Sequence, residues 1–309
     1  MESILHTLIG APKHEKRGKH MSLAVTNQSI RELVETGTSL DQILYPGKQL
    51  SDFDPADLRV EVLPSGFASF DTKMVLKKNR GELILIGARP SHGKSALLFQ
   101  IATKIARTGK SHVFSLEMDH ASVVTRQIAA VTGRPIDSIQ MGLHPALTSV
   151  AQKTLQELNF IIDDESGLTV EEICYRARME NKRSRTDAIF IDYIQIIRTE
   201  KGHNRANEVA LVSAQLKSLA KELRVPVVVA SQLNRNNEMR ELKTPQLSDL
   251  KESGSLEQDA DVVILLYREP KAPEEAIVSI AKNRNGPTIE LKMGYSPGYT
   301  SFHDLDTGI

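Results

Sequence analysis

Seven short apolar runs, separated by stretches of helical period, constrain this chain more than any other feature. They are "ELILIGA" (82–88), "SHVFSLE" (111–117), "NFIID" (159–163), "AIFIDY" (188–193), "VPVVVAS" (225–231), "DVVILLY" (261–267) and "AIVSIA" (276–281). Most are apolar on both faces, as strands buried inside a parallel sheet must be. Their rhythm from about residue 80 predicts an α/β fold with a mostly parallel sheet and helices on both faces. Within it, residues 207–223 carry Val209, Val212, Leu216, Leu219, Ala220 and Leu223 at three- and four-residue spacing, the apolar stripe of a packed helix. The last segments, "TIELKMGYS" and "GYTSFHDL", alternate more strictly around Pro297 and Gly298, which predicts a C-terminal antiparallel hairpin closing the sheet.

Composition narrows the function classes. The 309 residues hold 39 Lys plus Arg against 39 Asp plus Glu, so no global field draws the protein to nucleic acid or to an anionic membrane. Any polyanion site must be local. The single cysteine, Cys174, excludes an internal disulfide framework and a Cys-rich zinc site. No run approaches the about 18 apolar residues needed to span a bilayer, and Glu2 precedes the first apolar run while "KHEKRGKH" follows it, the reverse of a secretory signal. A cytoplasmic protein is expected.

Three segments follow from this reading. Residues 1–26 form a flexible N-terminal segment, 27–55 a linker, and 56–309 the α/β domain. In the linker, Ser29 is expected to cap a short helix with Ile30, Leu33 and Val34 on one face and Gly37 at its end. A helix that short is marginal alone, so it folds back on its own domain or docks on a neighbouring subunit.

The first run leads directly into "GARPSHGKSALLFQIATKIA". Gly93-Lys94-Ser95, between a strand and a helical pattern, reads as a phosphate-binding loop over Ala88, Arg89, Pro90, Ser91, His92, Gly93, Lys94, Ser95 and Ala96. In such a loop backbone N–H groups cradle phosphates, Lys94 reaches the β/γ-phosphates of ATP and Ser95 is a Mg²⁺ ligand. The general pattern would place glycine at 88, where this chain has Ala88. His92 reads as a tolerated loop residue. Open α/β sheets bind ligands at the carboxyl ends of their strands, and Glu117, Asp192 and Gln232 stand at three such ends. Asp192 suits Mg²⁺, Glu117 the base that orients the attacking water, and Gln232 a γ-phosphate sensor. No arginine stands in an obvious position beside them, which makes Lys282 and Arg284 of "AKNRNG" candidates.

At this point the chain resembles the C-terminal ATPase domain of DnaB-type replicative helicases, with its RecA-like fold. The resemblance rests on "LPSGFASFD", "GARPSHGKS", "FSLEM", "IFIDYIQI", "VPVVVASQLNR", "SDLKESGSLEQDADVVILLYR" and "AKNRNGPT", and covers about residues 63–305. It tolerates Ala88. It implies Glu117 as catalytic carboxylate, Asp192 as the Mg²⁺-associated aspartate, Gln232 as sensor, and a ring, usually a hexamer, with ATP between neighbouring copies. Lys282 and Arg284 then look like the pair that reaches the γ-phosphate held by the adjacent subunit. The resemblance also implies 5′ to 3′ movement on single-stranded DNA, and contacts to primase and a helicase loader.

The segment "SDLKESGSLEQDAD" reads as a polar loop. By resemblance it faces the ring channel, where Lys251, Glu252 and Gly254 hold single-stranded DNA by its phosphates. A second loop, "RTEKGHNRAN", carries Arg198, Lys201 and Arg205 and is a further channel candidate or a solvated basic loop. With no tryptophan and 5% aromatic residues, base stacking is disfavoured and little sequence preference is expected. Two alternatives stay open here: a RecA-like filament-forming recombinase ATPase, and an ATP-binding adaptor or loader that does no unwinding. The length leaves no room for a separate N-terminal domain, so the expectation is a helicase fragment or a short natural variant.

Overall fold

A computed structural model describes residues 59–73, 75–199, 205–234, 244–250, 254–269 and 272–305. The compact unit that carries the fold begins at Val60. The expected segments 1–26 and 27–55, with the helix at Ser29, lie outside the described residues, as do Lys201, Lys251 and Glu252.

In chain order the elements are α1 (Ala68–Asp71), β1 (Leu83–Ala88), α2 (Lys94–Ile105), β2 (Ser111–Ser115), α3 (His120–Thr132), α4 (Ile136–Gln140), α5 (Pro145–Gln156) and β3 (Phe160–Asp163). They continue with α6 (Val170–Arg183), β4 (Ala188–Asp192), α7 (Arg205–Leu223), β5 (Val227–Gln232), α8 (Gly254–Asp259), β6 (Val262–Tyr267), β7 (Glu275–Asn283), β8 (Ile289–Ser296) and β9 (Ser301–Asp304). All nine strands join one sheet in the order β3-β2-β4-β5-β1-β6-β7-β8-β9.

The six strands from β3 to β6 are mutually parallel, and β7, β8 and β9 are antiparallel to their neighbours. The change of direction comes one strand earlier than the expected hairpin. Only residues 268–274 separate β6 from β7, and a parallel crossover needs about a dozen. The chain therefore turns straight back at the end of β6.

Alternation along β1 divides the core. Ile84 and Ile86 face a cluster with Phe190, Val228 and Ile264 that α2 covers through Leu97, Leu98 and Ile101. Leu83 and Leu85 face the other way, with Ile189, Ile191, Val227 and Val229, under α6 and α7. The predicted stripe of α7 packs here: Val209, Val212, Leu216, Leu219 and Ala220 are buried, and Leu223 is partly so. Each large aliphatic group removed from water in this way stabilises the fold by roughly 1.5–3 kcal/mol.

Local signals start and stop the helices. Thr169 and Glu172 form a reciprocal capping box at the start of α6, with Thr169 Oγ1 accepting from Glu172 N at 3.2 Å and Glu172 Oε2 from Thr169 N at 2.8 Å. Asp119 caps α3 by accepting from Ser122 N at 2.8 Å. Among the described residues no helix is long and apolar enough to cross a membrane.

Candidate active site

Parallel pairing brings the carboxyl ends of β2, β4, β5 and β1 side by side. Ser115 is level with Asp192, and Ala88 with Gln232. The chain leaves β1 at Ala88 and enters α2 at Lys94, so the intervening loop arches over this edge. Two of its residues have positive φ, Ser91 at 64° and Gly93 at 97°. At Gly93 no side chain fits either, because an added Cβ would stand 2.7 Å from the Phe302 ring and 3.2 Å from that of Tyr295. The glycine of the motif is thus required by both backbone conformation and close packing.

A cavity of about 430 Å³ opens at this edge, within the range of small-molecule sites. The loop lines it from Ala88 to Ala96 apart from His92, and Glu117, just past β2, and Gln232, of β5, reach it. Met118, Arg126 of α3, Tyr193, Tyr295 and Thr300 complete the wall. A larger cavity of about 610 Å³ lies between β3 and α6 around His112 and Arg176. It has no glycine loop and no helix start to take phosphate, so the chemistry points to the smaller one.

Lys94 Nζ bonds Asp192 Oδ1 at 2.7 Å and sits 4.2 Å from the centre of the Tyr193 ring. The pair is screened from water, with Asp192 fully buried at the end of β4. Asp192 Oδ2 is also buried and has no hydrogen-bond partner. A buried acceptor without a donor is costly, and it fits a cation held directly or through water, with the Ser95 hydroxyl on the same cavity wall. No group of three or more His, Cys, Asp or Glu among the described residues could hold a metal ion alone. A magnesium ion here would share its shell with phosphate and water, as Mg²⁺ at nucleotide sites does.

Glu117 lies two residues past the end of β2, on an exposed turn rather than in the strand as its sequence suggested. Gln232 is the last residue of β5. Its main chain is clamped by Gln195, which accepts from Gln232 N at 3.1 Å and donates to Gln232 O at 3.2 Å and to Ser231 Oγ at 3.0 Å. Through this amide the end of β5 is tied to the segment just past Asp192.

His92 is more than a tolerated loop residue, and its side chain does not line the cavity. It turns from the cavity towards Tyr267, with ring centres 5.6 Å apart, and its Nδ1 accepts from Arg268 N at 2.9 Å. Arg268 also donates to Ser91 O at 2.7 Å and lies 4.1 Å over the Tyr295 ring. The end of β6 therefore braces the loop. Burial, with Arg268 and Arg89 nearby, lowers the His92 pKa to about 4, so the imidazole stays neutral and able to accept at neutral pH. Burial likewise lowers His112 to about 4.

Lys282 and Arg284 are not at this edge. Because β7 is antiparallel to β6, its end lies beside the start of β6, with Asn283 level with Val262. There Lys282 Nζ donates to Glu257 O, and Arg284 to Gln258 O and, at 3.4 Å, to Asp261 Oδ1. The two cations do project together, as their spacing suggested, but from the end of the sheet opposite their own phosphate loop. Burial and the neighbouring Arg284 lower the Lys282 pKa.

The expected polar loop at 248–261 is partly helical. Leu247–Asp249 form a 3-10 turn, and exposed Gly254 begins α8, which Leu256 anchors in the core. Of the second channel candidate, Arg205 is drawn into α7 by Glu208 at 2.8 Å and by the Gln195 carbonyl, while the guanidinium of Arg198 lies against Gly167. Sequence reasoning missed Arg126, Tyr193, Tyr295 and Thr300. Tyr193 follows Asp192 directly and was within reach of a motif reading; the others come to the cavity only through tertiary packing.

Residues 62–304 match the family described as DnaB-like helicase C terminal domain. A probable plasmid replicative DNA helicase of Chlamydia trachomatis serovar L2 is 37% identical over 78% of this chain and 54% of its own length. The chain thus spans about half the length of that relative. Among solved structures, one ATPase domain has a TM-score of 0.75 and 30% identity, covering 87% of this chain and 99% of its own. A DnaB-like replicative helicase, solved to show its interactions with primase, has a TM-score of 0.74 and 29% identity over 90% of this chain and 71% of its own.

Gly93→Ala is expected to abolish measurable ATP binding in a fluorescent-nucleotide titration, since it meets both positive φ and the Phe302 ring; retained affinity would show that the loop relaxes. Half-buried His92 and buried His112 are ordinarily at 6.5 and fall to about 4 in the fold, so the folded state binds fewer protons between these values. Their contribution to stability is complete above pH 6.5 and is lost as pH falls through 4. Urea midpoints should decline over that window, and less steeply in His92→Gln/His112→Gln; parallel curves would assign the decline to other groups.

Proposed function

Because the chain belongs to the DnaB-like helicase C terminal domain family and carries its RecA-like fold, we propose that it is the ATPase motor of a replicative DNA helicase. In this reading ATP lies in the 430 Å³ cavity, and copies of the chain assemble, in the cytoplasm, into a closed ring, sixfold by family analogy. The ring translocates 5′ to 3′ on single-stranded DNA and unwinds duplex at the fork. Primase, with which the structural relative interacts, is the expected partner, together with a loader.

The observation that carries the proposal is the division of the candidate groups between the two ends of one sheet. The loop, Lys94, Asp192, Glu117 and Gln232 gather at the carboxyl edge, while Lys282 and Arg284 emerge at the opposite edge. A cation there cannot serve its own phosphate loop, but it can serve a neighbour's.

The roles divide by chemistry. Backbone N–H groups of the loop at Gly93, Lys94 and Ser95, where α2 starts, hold the phosphates, and Lys94 exchanges its bond to Asp192 for the β/γ-phosphates. Magnesium, when bound, neutralises charge on the phosphate oxygens, with Ser95 and Asp192 as its protein ligands. Glu117, exposed on the cavity wall, orients and deprotonates the attacking water. Gln232 senses the γ-phosphate and passes its state to the end of β5. Lys282 and Arg284 of the adjacent copy stabilise the charge of the transferring phosphoryl group, a contribution of about 10³ to 10⁵ in rate, or roughly 4 to 7 kcal/mol. Lys251, Glu252 and Gly254 hold the DNA backbone, so binding is insensitive to sequence.

Arg284→Ala should lower DNA-stimulated hydrolysis by about 10³-fold or more; a rate within a few-fold of wild type would remove Arg284 from the chemistry. Lys251→Ala should weaken single-stranded DNA binding equally across sequences and reduce the salt slope by about 0.7. An affinity unchanged at every salt concentration would take Lys251 out of the DNA site.

A further inference from the structure

We infer that Asp261 is the positioning residue for Arg284, a role that rests on the reading of Arg284 as a group acting in a neighbouring copy. Asp261 stands immediately before β6 and is 6% exposed. Its carboxylate is itself anchored: Oδ2 accepts from Leu83 N at 2.7 Å, at the start of β1, and from Lys217 on α7. Its main chain is held as well, since Asp261 N donates to Leu83 O at 2.8 Å. From this fixed base Asp261 reaches Arg284 twice. Its carbonyl accepts from Arg284 N at 2.8 Å, and Oδ1 lies 3.4 Å from the guanidinium.

The far side of Arg284 is held by α8, through the Gln258 carbonyl, while Lys282 is held through that of Glu257. These carbonyls belong to the last turn of a helix, where the backbone carries partial negative charge. A guanidinium has five N–H donors in a rigid fork, and these two side-chain bonds use one donor from each terminal nitrogen. Donors remain for a phosphate. The Arg284 side chain is nevertheless 48% exposed at the end of a strand, so its direction depends on the contacts that hold it. Water reaches the Arg284 half of this ion pair and screens it, so its consequence is aim more than stability.

Asp261→Asn keeps the size of the side chain and an oxygen for Leu83 N, but removes the charge that faces Arg284. The test is complementation in mixed assemblies of the full chain. Asp261→Asn alone should bind a fluorescent ATP analogue as wild type does, yet lose at least tenfold in DNA-stimulated hydrolysis. Lys94→Ala alone should not hydrolyse ATP, while keeping Arg284 correctly held. If Asp261 acts through Arg284 on a neighbour, mixing the two restores hydrolysis that neither shows alone, because an intact loop then meets a correctly aimed Arg284.

Arg284→Ala mixed with Lys94→Ala separates the two ideas. Restoration in this mixture but not with Asp261→Asn overturns the positioning role and leaves the trans reading standing. Restoration in neither overturns the trans reading, and the positioning role with it. If Asp261→Asn does not fold, Lys217→Gln, which frees the carboxylate from α7 without touching Arg284, takes its place in the same mixtures with the same outcomes.

Discussion

The buried contact between Lys94 and Asp192 is the point on which the rest of the molecule converges. Two opposite charges taken out of water are expensive unless each finds a partner, and here each is the other's. Meeting at 2.7 Å requires that β1 and β4 deliver their ends to the same edge, which parallel strands with helical crossovers do. It also requires the tight turn through Gly93, which fits only because no Cβ occupies the space before Phe302 and Tyr295. Phe302 belongs to β9 and Tyr295 to β8, so the antiparallel end of the sheet helps to shape the loop. The pairing is suited to exchange. In the proposed reading a phosphate takes over Lys94 and frees Asp192, whose second oxygen lacks a donor, for a cation.

A second constraint acts at the other end. The turn after β6 is too short for a crossover, so β7 must run antiparallel and carry "KNR" away from the phosphate loop. A single reversal of chain direction separates the groups proposed to bind ATP from the cations proposed to complete its hydrolysis. In the proposed reading assembly is a condition of catalysis rather than an addition to it; within the chain, bonds to α8 and Asp261 hold the two cations.

Much of this was legible in the sequence, for physical reasons. A strand buried on both faces has no choice but to be apolar throughout, so β1, β4, β5 and β6 were visible as runs, and α7 as a stripe. The glycine of the loop was visible because it stands directly before Lys94 and Ser95, between a strand and a helical pattern. What stayed hidden depended on contacts between distant segments. Nothing near His92 in sequence announces that it accepts from Arg268, nor does anything near Asp261 indicate Lys217 or Leu83. Arg126 and Tyr295 reach the cavity from elements far apart in the chain. The helical character of 254–259 was hidden because a glycine and small polar residues conceal a single apolar anchor, Leu256.

Hydrolysis of ATP measured against protein concentration, with and without single-stranded DNA, tests the divided site most directly. If Lys282 and Arg284 complete a neighbour's site, the rate per subunit rises steeply with concentration as copies assemble, and rises again when DNA is added. A rate per subunit that is the same at every concentration would mean that each chain hydrolyses ATP alone, and the division of the site between copies would be wrong.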